Sequence, residues 1–305
     1  MFALIIPWAV LLLLVIALIC AKKRKSVSVI LVIVAIGLNW LGECIPFRLF
    51  YPIVNKEGKV IKVLSYNIDG TSGDVLDKSD RVRSFLREYS PDIVFIAEYD
   101  DFHPTVLDSL LKDDFKYSNN TKEKYFQYFY GKVPIINTRR LLDKEGKEIG
   151  VYACSIVMHK DTIDLFGCHL ASNNYSPSQD RISPDSIHDG TGLITYLQNI
   201  KSAGERRTIE VETLIDEMAI SQRQTIVMGD LNDVNYSKPL RLLESSGLKD
   251  AWWEGGVGCG ATINTPLPYR IDHIMHTNDL KLKKIRVIKS DISDHNALYA
   301  ELYIK

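Results

Sequence analysis

The chain has 305 residues, 46% of them hydrophobic and 25% charged, with a formal net charge of −1. Removing the bases of "KKRK" (Lys22–Lys25) and the acid Glu43 from the 37 basic and 38 acidic residues leaves a net of −4, which gives no electrostatic case for a dedicated non-specific nucleic-acid binder with a basic face but does not exclude a metal-dependent nuclease. Five cysteines are too few for a disulfide scaffold, and the region after the first fifty or so residues, about 250 residues, suffices for one large single-core domain.

Phe2 to Ala21 runs for twenty residues without a charge. At about 1.5 Å per residue it spans about 30 Å, one hydrocarbon core. "KKRK" follows, then a second apolar run from Val27 to Leu41 broken only by Asn39. The first run lacks a basic n-region, so it does not read as a cleaved signal peptide. The pattern predicts a membrane-anchoring helical hairpin over 1–48, with spans at about 2–21 and 26–46. "KKRK" would face the cytoplasm, leaving the rest of the chain extracytoplasmic at the cell (inner) membrane. An interfacial second helix with a cytoplasmic domain is the alternative. Trp40, Phe47, Phe50 and Tyr51 suit an interfacial belt, and 49–58 reads as a linker to a domain over 59–305.

"KVIKVLSYN" (Lys59–Asn67) reads as a strand, "SDRVRSFLREYS" as a helix capped at Ser79 or Asp80, and "DIVFIAE" as a fully buried strand. A short helix at "PTVLDSLLKD" precedes four strand-like runs, "YFQYFYG", "VPIIN", "GVYACSIVMH" and "TIDLFGCHL". Residues 171–188 are polar and irregular. Two helices are predicted at 190–202 and 205–221, then a strand at "QTIVMGD", a helix at "SKPLRLLESSG" and late strands at "YRIDHIMH", "LKLKKIRVIK" and "ALYAELYI". Hairpin-linked strands mixed with single helices predict an α/β fold of two mixed sheets packed face to face, with helices outside.

Polar residues gather where the apolar strands end: Asn67, Glu98, His169, Asp230 with Asn232, Asp272, and Asp294 with His295. Burying such groups without partners costs several kcal/mol each, so something must satisfy them. Asp230 and Asn232 lie two apart, which on a strand aims both at one face. Each piece alone reads as a turn, a cap or a solvated strand end; the whole set, in one domain, fits accidental turns poorly.

In order, "LSYN", "PDIVFIAE", "CHL", "GDLND", "YRIDHI" and "SDHNAL" resemble the endonuclease/exonuclease/phosphatase superfamily, deoxyribonuclease I-like, in its membrane-anchored bacterial form. The resemblance covers about residues 60 to 305. It implies a four-layer α/β sandwich and a divalent metal, Mg²⁺ with Mn²⁺ as an alternative. By matching motif, Glu98, Asn67 and Asp294 resemble the metal-side residues. Asp230 and Asn232 resemble the pair that positions water and phosphate, His295 the catalytic histidine oriented by Asp272, and His169 the second histidine, at the scissile phosphate. Ala97 and Ala297 depart from the family pattern without removing a catalytic group, and no acidic partner of His169 is evident.

These residue types suit phosphate-ester hydrolysis in their own right. Mg²⁺ needs only one or two carboxylates. A histidine near its ordinary pKa takes a proton at neutrality, and such help is typically worth about 10²–10⁴-fold. The expected function is therefore a membrane-anchored metal-dependent phosphoesterase. Its partners would be the bilayer, through the N-terminal helices, and a phosphate-ester substrate: a lipid headgroup, a nucleic acid or a small phosphoester. The alternative is a catalytically silent tethered binding or assembly protein on the same fold. Residues 171–205, with Tyr175, Arg181 and His188, form a candidate substrate loop.

Overall fold

A computed structural model describes residues 2–42, 58–69, 75–99, 104–119, 127–158, 161–173, 191–265 and 269–304. The chain opens with α1 (Phe2–Cys20) and α2 (Lys25–Gly42), packed on each other around the turn at 21–24. The expectation of two membrane spans finds no support here: among the described residues, no helix is long and apolar enough to cross a membrane. The helices are 19 and 18 residues long, and their described side chains run only from position 8 to position 36. What they do show is aliphatic exposure, Leu18 at 75% and Ile33 at 62%. The proposed belt at Phe47, Phe50 and Tyr51, the side chain of Trp40, and most of the 49–58 linker lie outside the described residues.

The rest is a sandwich of two mixed six-stranded sheets. The first sheet runs β11 (Lys281–Ile288), β12 (Ala297–Ile304), β1 (Lys59–Asn67), β2 (Ile93–Ala97), β4 (Gln127–Gly131), β3 (Tyr117–Ser118). The second runs β5 (Ile135–Leu142), β6 (Glu148–Met158), β7 (Asp161–His169), β8 (Thr225–Asp230), β10 (Asp272–Thr277), β9 (Leu248–Asp250). Each sheet contains one parallel pair at its centre, β1 with β2 and β7 with β8; the other pairs are antiparallel. Alternating residues of both sheets meet in the middle core, where Phe95, Phe129, Leu165, Met228 and Leu298 are fully buried. The opposite faces bury against helices: the first sheet under α3 (Val75–Tyr89) and α4 (Pro104–Leu111), the second under α5 (Thr191–Ser221) and α6 (Lys238–Ser245). The expected sandwich of two mixed sheets with outer helices is thus the observed one.

Two local expectations change, and three short elements are added. α3 starts at Val75, ahead of the expected cap, so Ser79 lies inside the helix, buried, with its hydroxyl 3.3 Å from that of Tyr99. The two helices expected at 190–202 and 205–221 are one, α5, of 31 residues. Gly204 inside a helix costs about 1 kcal/mol relative to Ala, too little to break it when the following turns are pinned by ion pairs. β3, β9 and α7 (Ala251–Gly255) are too short to carry a periodic signal.

Candidate active site

The two parallel pairs end at the same edge of the sandwich, and the polar residues are their endings. Asn67 closes β1, Glu98 follows β2, His169 closes β7 and Asp230 closes β8. Register places His169 beside Asp230 on one side and Asp272, the first residue of β10, on the other. The loop before β12 brings in His295, fixed where Ser293 Oγ donates to the Asn67 carbonyl (2.8 Å) and where Ile263 bridges His295.

Asn67 Nδ2 donates to Glu98 Oε1 at 3.0 Å and to Asp230 Oδ2 at 3.1 Å, linking the two sheets. His169 Nε2 lies 2.9 Å from Glu98 Oε1, so Glu98 is the acidic partner that the sequence left unassigned. His295 Nδ1 is 2.9 Å from Asp272 Oδ2, and its Nε2 points toward Asp230 Oδ2 at 3.9 Å. Asn232 reaches the site differently from the strand-alternation argument. β8 stops at Asp230, and Asn232 has φ +51°, a left-handed turn that Asn tolerates. Its backbone N–H folds back onto Asp230 Oδ1 (2.8 Å), and its side-chain amide donates to the Leu170 carbonyl (2.9 Å). Asp294 is exposed, and its carboxylate accepts from Ser293 Oγ (3.3 Å).

The electrostatics separate the groups. Burial together with the nearby Asp272 carboxylate raises Asp230, against the pull of His295 and His169. Burial would lower His295, but Asp272, Asp230 and Asp294 outweigh it and raise it to about 10. Burial opposes ionisation of Glu98, yet the bonds from His169 and Asn67 bring it down to about 2. His169 is raised: burial works against its charged form, and the Glu98 bond and the Asp230 charge prevail.

Further groups, which the motifs did not single out, hold this edge in place. Arg207 on α5 is buried; its Nε donates to Asp233 Oδ2 (2.9 Å) and its Nη1 to the Ala171 carbonyl (2.7 Å) and Asn173 Oδ1 (3.1 Å). Glu210, one turn on, accepts from the N–H groups of Gly150 and Ala171, both at 3.0 Å. Arg270 donates to both carboxylate oxygens of Asp250 (3.2 and 2.8 Å) and contacts His273 Nδ1 (2.7 Å), while His273 Nε2 bonds the Asp233 carbonyl (3.0 Å). The Arg270 and His273 contacts outweigh burial and hold Asp250 well below the ordinary carboxylate range. Of these, Asp233 closes "GDLND", and Arg270 and His273 flank Asp272 in "YRIDHI"; the others left no trace in the motifs. Tyr175, Arg181 and His188 lie outside the described residues.

The donor set fits a hard dication. Ligand atoms of Glu98, His169 and Asp230 lie within 4.8 Å of one another, as do those of Asp230, Asp272 and His295. The buried Asp272 Oδ1 has no hydrogen-bond partner among the described residues, an acceptor awaiting a positive group. Asn67 faces the carboxylates with its amide nitrogen, while its amide oxygen accepts from the Asp69 N–H at 3.1 Å.

Residues 64–295 match the Endonuclease/Exonuclease/phosphatase family, and the chain belongs to it. Among solved structures, TDP2 from Caenorhabditis elegans is 17% identical, with 80% of this chain and 74% of that one covered and a TM-score of 0.58. A family protein from Bacteroides thetaiotaomicron is 14% identical over 82% and 100% of the chains, TM-score 0.59. The 3′ phosphatase NExo from Neisseria, bound to a product DNA hairpin, is 15% identical over 79% and 98%, TM-score 0.58. At these identities the likeness is one of fold. No curated protein matches the chain.

Proposed function

We propose that this chain hydrolyses a phosphate ester with a divalent cation, Mg²⁺ or Mn²⁺, at the edge formed by Glu98, Asn67, Asp230, His169, Asp272 and His295. The observation that carries the reading is the Asp272–His295 dyad aimed at Asp230 across a register that also holds His169. Histidine at its ordinary pKa would serve as the base, but this pocket pushes the two partners the other way. His295 is held protonated well above neutrality, and Asp230 is raised above the ordinary carboxylate range. Asp230 would orient the attacking water, whose pKa a bound cation would lower. The imidazolium of His295, kept charged by Asp272, donates to a phosphoryl oxygen. Asn232 and His169 supply further donors where charge accumulates. Glu98 and Asp230, with Asn67 and Asp294 at hand, would hold the cation, which when bound neutralises phosphoryl charge.

The test is a substrate panel on the full chain: DNA, RNA, a sphingomyelin-type lipid, a phosphoinositide and an aryl phosphodiester, each with and without EDTA. At least one should be turned over and EDTA should stop it. Glu98→Ala, Asp230→Ala and His295→Ala should each cost about 10²-fold or more while the circular dichroism spectrum persists. Near wild-type turnover in all three would reject the reading.

The helix pair α1–α2 is proposed as a membrane anchor, with the domain extracytoplasmic. Its support is the uncharged run through α1, the outward aliphatics and the basic turn between the helices. The chain should then remain in the membrane pellet after a carbonate wash. Recovery in the soluble fraction would remove this part of the proposal and leave the hydrolase intact.

A further inference from the structure

Beside the catalytic edge lies a groove of about 1270 Å³. That exceeds the roughly 300–1,000 Å³ usual for small-ligand sites. Leu197, Ile200 and Ile209 of α5 form one wall; Val234, Ile263 and Tyr269 belong to the other. The groove is continuous with the reaction centre, because Asn232 lines it and because Ile263 is the residue bridged to His295. It is also continuous with the exposed helix pair: Trp8 of α1 donates its indole N–H to the Tyr269 hydroxyl (3.2 Å), with the rings edge-on at 6.1 Å. Leu197 and Ile209 are 38% and 43% exposed, so the wall presents aliphatic surface that nothing described covers. Its three cationic side chains are matched by three carboxylates, which leaves no surplus of positive charge to track a polyanion.

We propose that this groove seats the hydrocarbon chain of a lipid phosphoester whose phosphate is hydrolysed at Asp230 and His295. The inference rests on the phosphoesterase reading and narrows it to an amphiphilic substrate class. An apolar trough that begins at the phosphate-side amide and ends against an apolar helix is the shape such a molecule requires: a polar head at the carboxylates, and a tail lying away from water.

The test uses the purified full chain with Mg²⁺ and a series of alkyl 4-nitrophenyl phosphodiesters from ethyl to octyl, all kept below their critical micelle concentrations. Full burial is worth about three- to fourfold per methylene, so partial burial of six should raise kcat/KM at least about tenfold from ethyl to octyl. The Leu197→Glu/Ile209→Glu double variant, and separately the milder Leu197→Ser/Ile209→Ser, should flatten that slope. Calorimetric binding of ethyl- and octylphosphonate reads the groove without turnover and should show the same preference, lost in the same variants. Turnover that does not depend on chain length, or a preference that survives both double variants, overturns the groove and leaves the hydrolase standing. A binding preference for octyl with no turnover of any ester sinks the hydrolase reading instead and keeps the groove.

Discussion

His295 shows how a single side chain takes its role from its neighbours. Its pKa is raised in the folded protein to about 10 from an ordinary value near 6.5. Its contribution to stability is therefore fully present below about pH 6.5 and is lost as pH rises through about 10. In EDTA, the melting temperature of the wild type should fall between pH 7 and pH 10 more steeply than that of His295→Gln. Parallel slopes would show that the carboxylates do not hold this proton. Glu98 works in the opposite sense: lowered to about 2, it stabilises above about pH 4.5 and stops doing so as pH falls toward 2. Asp272→Asn should lower the His295 pKa in an NMR titration and cut kcat by about 10²–10⁴-fold. The sequence could name these residues because strand endings are where a sandwich keeps its chemistry. It could not assign their protonation. Whether Asp230 or His295 is charged depends on distances between strands far apart in the chain, and an isolated "GDLND" or "SDHNAL" contains none of them.

Among the elements, α5 reaches the site most directly without touching the reacting atoms. Arg207 joins the turn after β8 to the segment after β7, and Glu210 caps the N–H groups of Gly150 and Ala171. Both pair members are largely buried, so Arg207→Ala leaves Asp233 uncompensated and should cost about 3–5 kcal/mol in urea denaturation. Arg207→Lys keeps the charge but not the fork and should fall between. Strand β8 has its own constraint at Gly229, where φ is +139° and an added Cβ would come within 2.0 Å of the Cys168 carbonyl oxygen. Gly229→Ala should therefore misplace Asp230 and lose activity even where the protein still folds. The elements were readable where a pattern ran long enough: β1 matches the expected Lys59–Asn67, and β7, β8 and β12 fall where apolar runs placed them. The misreadings have physical causes. Gly204 reads as a break in sequence, yet it sits within a helix secured by tertiary ion pairs. Asn232 reads as part of a strand that its own left-handed backbone has already ended.

At the scale of the whole molecule, the site exists only where both sheets meet, since Asn67 and Glu98 come from one and His169, Asp230 and Asp272 from the other. A cation bound there ties the two sheets together. At a hundredfold excess over its Kd it should add about 2.7 kcal/mol, or roughly 5–10 °C in melting temperature. The shift should vanish in Glu98→Ala and in Asp230→Ala; its persistence in both would place the cation elsewhere. The order of strands has a further consequence. β12, residues 297–304, is an interior member of its sheet, inserted between β11 and β1 and paired with β1 along seven positions. Every polar residue of the site has been translated by position 295, but the sheet that carries Asn67 and Glu98 still lacks its neighbour. Residues 297–304 must therefore be inserted between β11 and β1 before that sheet is complete, so deleting them should leave Asn67 and Glu98 without a formed edge.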